Sequence, residues 1–131
     1  MNHESIPLYL DTHAVVWLYA GETERFSTKT RSLIEANNIF ISPMVQLELQ
    51  YLNEIERIST HSAVILENLM MTIGLRMCEI SFSRIISEAV LYNWTRDPFD
   101  RIIVATAAAS NAMLITKDQS ILSNYKKAVW N

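Results

Sequence analysis

Short apolar runs alternate with longer amphipathic stretches along the chain. Ile6-Pro7-Leu8-Tyr9-Leu10 reads as a buried strand ending at Asp11. His13 to Tyr19 predicts a short helix closed by Gly21, and Ser27 is a good N-cap for a helix through about Ala36, with Asn37-Asn38 as its stop. Ile39 to Ser42 is a second strand. Pro43 suits the first turn of a helix running to about Ile58. His61 to Thr72 is another helix, ended near Gly74, and Met77 to Ile80 a third strand. Ser81 or Ser83 caps a helix through about Trp94. Asp97-Pro98 opens the next helix, which reaches about Asn111 and is apolar nearly all round after Arg101, so it should be buried. Met113 to Thr116 is a fourth strand, Asp118 starts a short helix, and Ala128-Val129-Trp130 offers a fifth strand.

Strands alternating with helices predict an α/β fold with a mainly parallel sheet of four or five strands and right-handed crossovers. A chain of 131 residues without repeats or low-complexity segments fits one domain, 1–131. Two Gly and three Pro argue against a turn-rich all-β sandwich. No apolar run approaches the roughly 20 residues that span a bilayer, and the N-terminal segment has no signal-peptide pattern. The expectation is a soluble cytoplasmic protein. Cys78 is the only cysteine, which excludes an internal disulfide, and it reads as a buried, inert thiol. His3, His13 and His61 are scattered and give no zinc spacing. The net charge of −3 runs against the basic balance of most nucleic-acid binders. Net charge does not describe local patches, however, and cations at one rim would suffice for a backbone contact.

The acidic residues carry the chemistry. There are ten Glu but only four Asp: Asp11, Asp97, Asp100 and Asp118. Each Asp falls at a strand end or a helix start. Ligands of open α/β sheets bind at the carboxyl ends of the strands, so neighbouring first and fourth strands would bring Asp11, Asp100 and Asp118 together. Glu48 argues independently. Met44, Val45, Leu52 and Ile55 share its helical stripe, which should face inward. A lone inward carboxylate costs several kcal/mol unless paired or metal-bound. Asp100 similarly shares a face with Ile103, Val104 and Ala107. Clustered carboxylate oxygens suit Mg²⁺ or Mn²⁺, and such ions support phosphodiester hydrolysis without a side-chain nucleophile. Each acid also has a plain structural reading: Asp97 and Asp118 as helix caps, Asp11 as the start of a turn, Glu48 as a partner of an Arg.

LDTHAVVWL (10–18), SPMVQLEL (42–49), RDPFDRIIVATA (96–107) and LITKD (114–118) together resemble the PIN domain, in particular the toxin subunit of VapBC-type toxin–antitoxin modules. The resemblance covers almost the whole chain, and DPFDRIIVATA is its most specific segment. It implies a three-layer α/β/α fold and an endoribonuclease dependent on Mg²⁺ or Mn²⁺. Asp11, Glu48, Asp100 and Asp118 match the family's four acidic positions, as catalytic and metal-holding residues. Many relatives carry a further acid three residues after the fourth position, where this chain has Ile121. Thr12, Thr116, Arg101 and Asp97 match accessory positions that orient the acids or the substrate. The implied partners are an RNA substrate, a cognate antitoxin and a second copy of the chain. Two other readings remain at this point. One is a non-catalytic PIN-like interaction module. The other is an aspartate-nucleophile phosphatase, which would want an acid two residues after Asp11, where His13 stands.

Overall fold

The computed structural model describes residues 6–131; His3 lies outside them. Five strands form one sheet: β1 (Pro7–Leu10), β2 (Asn38–Ile41), β3 (Arg76–Met77), β4 (Met113–Ile115) and β5 (Ala128–Val129). Their order is β3-β2-β1-β4-β5, and every pairing is parallel. The α/β reading therefore holds, with the fifth strand present. Leu8, Leu10, Ile41, Leu114 and Ile115 are fully buried, as expected of parallel strands covered on both faces. Seven α-helices connect the described strands: α1 (Thr12–Tyr19), α2 (Thr28–Ala36), α3 (Pro43–Glu54), α4 (Ser62–Ile73), α5 (Phe82–Ala89), α6 (Pro98–Ala109) and α7 (Gln119–Asn124). None of them is long and apolar enough to cross a membrane.

Travel along the sheet changes direction once. From β1 the chain moves outward to β2 and β3, then returns across β1 to β4 and β5. Right-handed connections in opposite directions put helices on both faces. They also open a crevice between the carboxyl ends of β1 and β4, where the direction switches.

Several boundaries differ from the sequence reading, each for a local reason. The third strand covers Arg76–Met77 rather than Met77 to Ile80. Its partner β2 stops at Ile41, because Ser42 turns away to cap α3. The Cys78 amide makes the last bond, 2.9 Å to the Ile41 carbonyl, and the buried Cys78 then leaves the sheet. Helix α3 ends at Glu54, four residues early. The chain turns through Glu56, at φ 63°, and the Arg57 amide folds back to the Leu52 carbonyl. Ile55 is consequently exposed, and the inward stripe of α3 is carried by Val45 and Leu49. Helix α5 stops at Ala89 rather than near Trp94. The Arg101 guanidinium takes the carbonyls of Ala89 (2.8 Å) and Val90 (3.4 Å), which satisfies the helix end from the side of α6.

Candidate metal centre

Four acids stand at helix N-termini that face the crevice. Asp11 caps α1, accepting the Thr12 amide at 2.7 Å, and its own amide donates 2.9 Å to the Ile115 carbonyl, which locks β1 to β4 at this end. Asp97 caps α6 through the Phe99 (2.8 Å) and Asp100 amides, and Asp100 lies in that first turn. Asp118 caps α7, accepting the Ile121 amide at 2.9 Å. Helix N-termini carry partial positive charge, which makes these tolerable positions for carboxylates. Caps occupy only part of a carboxylate's acceptor capacity, so each group retains lone pairs for another partner. The capping readings and the site reading are thus compatible.

Two threonines hold the acids in place. The Thr116 hydroxyl donates 2.6 Å to Asp11 Oδ2 and accepts the Asp118 amide at 3.1 Å, so one buried side chain joins the first and fourth acids. The Thr12 hydroxyl donates to Glu48 Oε1, tying the third helix to the first. Asp11 is only 6% exposed, while Glu48, Asp100 and Asp118 are half-buried.

Asp11, Glu48, Asp97, Asp100 and Asp118 line one open cavity of about 520 Å³. Burial and mutual repulsion together raise the pKa values of Asp100, Glu48 and Asp11. Burial raises Asp100 from 3.8 to about 7, reinforced by the charges of Asp11, Asp97, Asp118 and Glu48. Glu48 is raised by burial and by Asp11 and Asp97, against the Thr12 bond and His13. Asp11 is raised by burial and by Asp118, against Thr116, the Thr12 amide and His13. Four acids acting together on Asp100 is the electrostatic signature of a shared site.

The donor set is all oxygen, which fits Mg²⁺ or Mn²⁺ and not a thiolate-preferring metal. Among the described residues, no three Asp, Glu, His or Cys side chains are drawn tightly enough to hold an ion unaided. The crowded carboxylates fit a divalent cation, because a positive charge offsets the burial and repulsion that raise Asp100.

Arg101 is not brought to the acids. Its guanidinium bonds the carbonyls of Ala89 and Val90 at the end of α5. Conversely, His13, Trp17, Lys117 and Gln119 line the cavity, and sequence reasoning assigned them nothing. The available signal was spacing: His13 and Trp17 are one helical turn apart on α1, and Lys117 adjoins Asp118.

A family-level match described as the PIN domain spans residues 8–127. No curated protein sequence matches the chain. Among solved structures, a chain of VapBC2 from Rickettsia felis, bound to a DNA fragment from their promoter, is similar with TM-score 0.67 and 19% identity, over 96% of this chain and 100% of that one. A chain of VapBC-1 from nontypeable Haemophilus influenzae gives TM-score 0.66 at 15% identity, over 96% and 97%. A chain of a toxin–antitoxin complex from Klebsiella pneumoniae gives TM-score 0.60 at 20% identity, over 93% and 95%. At these identities the likeness is one of fold.

Proposed function

The chain belongs to the PIN domain family, and on that premise we propose that it is a metal-dependent endoribonuclease, the toxin of a toxin–antitoxin pair. One observation carries the reading: five carboxylates from four elements share a cavity at the switch point of a parallel sheet, where burial and the charges of the other four raise the pKa of Asp100. Structural caps alone would not need to converge.

Asp11, Glu48, Asp100 and Asp118 would hold Mg²⁺ or Mn²⁺, with Asp97 fixing the turn that carries Asp100. When bound, the cation would supply positive charge to the scissile phosphate and increase the acidity of an attacking water. Thr116 fixes the Asp11 carboxylate through its hydrogen bond, and Thr12 does the same for Glu48. That limits the reorganisation needed on binding substrate. Hydrolysis adds water across one phosphorus–oxygen bond: the water oxygen joins phosphorus, and the departing oxygen takes a proton.

The solved relatives are toxin–antitoxin complexes, and the same kind of partner is proposed here. An apolar ledge supports it. Tyr51, three residues beyond Glu48 on α3, packs on Phe99, next to Asp100, with ring centroids 5.6 Å apart, and Leu47 beside it is exposed. The reading places the protein in the cytoplasm, working as a homodimer.

The test is cleavage of an internally labelled RNA by purified protein. Mn²⁺-dependent internal cleavage that EDTA stops and Asp11→Asn abolishes supports the proposal. A wild-type preparation that binds RNA and never cuts it favours the non-catalytic module instead.

A further inference from the structure

A carboxylate pocket repels the polyanion it is meant to cut, and a net charge of −3 offers no general attraction. Cations must therefore stand close to the pocket. Several basic side chains are committed elsewhere: Arg84 to the Ala109 carbonyl, Arg101 to Ala89 and Val90, and Lys127 to Asn111. Beside the pocket the arrangement differs. Trp17 and Lys117 both line the cavity that holds the acids. Lys117 Nζ lies 5.7 Å from the centroid of the Trp17 ring, and the Arg25 guanidinium carbon lies 5.1 Å from it. The ring is itself fixed edge-on by Phe26, 6.2 Å away, and by Trp130, 5.5 Å away. One rigid indole thus gathers two flexible cations at the pocket rim. Each is attracted electrostatically to the ring face. Arg25 also meets Glu22 at 3.3 Å, but that pair is exposed and exchanges readily for a stronger anion.

We propose that Arg25 and Lys117, gathered over Trp17, form a phosphate-binding subsite for the nucleotide adjoining the scissile bond. It rests on the nuclease reading and adds a direction to it. The RNA strand leaves the carboxylate pocket across the exposed side of α1, toward the Thr23–Arg25 turn. The cations contact phosphate and not base, so they contribute affinity without sequence preference.

Steady-state cleavage of a single-stranded RNA with Mn²⁺, across a series of salt concentrations, tests this. Arg25→Ala combined with Lys117→Ala should raise KM about tenfold, as expected for two exposed charge contacts, with kcat nearly unchanged. The slope of log kcat/KM against log salt should become shallower by about 0.7 per lost phosphate contact on a single strand. Both residues are exposed, so their truncation empties no core. Lys126→Ala combined with Lys127→Ala removes the same charge at the opposite end of the sheet and should match wild type in KM and slope. A wild type that cuts RNA, with KM and slope unchanged in the Arg25/Lys117 double variant, overturns the subsite alone. An acidic protein segment as the true occupant would give that result. A wild type that cuts no RNA overturns the nuclease reading and the subsite together.

Discussion

Replacing Asp100 by Asn should stabilise the metal-free protein, and only above acidic pH. Burial and four neighbouring acids raise the Asp100 carboxyl from 3.8 to about 7. Between those values the folded chain retains a proton that the unfolded chain releases. Stability therefore falls as pH rises through this window. The penalty is absent below about pH 4 and complete above about pH 7. Three units at about 1.36 kcal/mol each set a ceiling near 4 kcal/mol. Asp100 is only half-buried, so solvent screening reduces this to about 2 kcal/mol. Asn also forfeits the favourable interaction of a carboxylate with the first turn of α6, about 0.3–1 kcal/mol. The net expectation is a variant more stable than wild type by about 1 kcal/mol at pH 8, or about 4 °C in Tm for a domain of this size. At pH 4 the advantage should vanish. Thermal melts followed by far-UV circular dichroism in EDTA, at both pH values, make the comparison. Because the variant is referred to wild type at each pH, other titrating groups largely cancel. An Asp100→Asn protein that melts below wild type by the same margin at pH 4 and pH 8 would refute the crowding argument.

The threonine and cap assignments yield further outcomes. Thr116→Val removes the 2.6 Å bond to a buried carboxylate and should cost about 2 kcal/mol at neutral pH. The loss should shrink in acid, where Asp11 becomes protonated, and melts across pH check both parts. Asp97→Asn should keep near-native stability and most of the cleavage rate, since Asn caps helices nearly as well as Asp, while Asp97→Ala should lose about 1 kcal/mol by chemical denaturation.

Much of this architecture is legible in the chain because parallel strands, capped helices and Pro at a first turn leave strong local marks. Asp11, Asp97 and Asp118 fall directly before helices, so their positions at the sheet's carboxyl edge follow from local sequence. The inward carboxylate on α3 follows from periodicity, although Ile55 breaks the stripe where the helix ends. Tertiary contacts set the rest. The third strand is short because Ser42 ends its partner, a fact written some 35 residues away. Arg101 looks like a site residue beside Asp100, yet the carbonyls that claim it belong to another helix. Trp17 reads as one more apolar position of α1, and only its meeting with Arg25 and Lys117 distinguishes it.

The central claim is that these carboxylates form one divalent-cation site. Titration of Mn²⁺ into the purified protein by calorimetry tests it most directly, on wild type and Asp11→Asn at pH 6 and pH 8. Binding must displace the proton Asp100 holds near neutrality, so wild-type affinity should rise between the two pH values with proton release measurable through buffer ionisation heats. Asp11→Asn should bind at least about tenfold more weakly at both, a loss of about 1.4 kcal/mol. Equal Mn²⁺ affinity in wild type and Asp11→Asn, with no change between pH 6 and pH 8, would contradict the account.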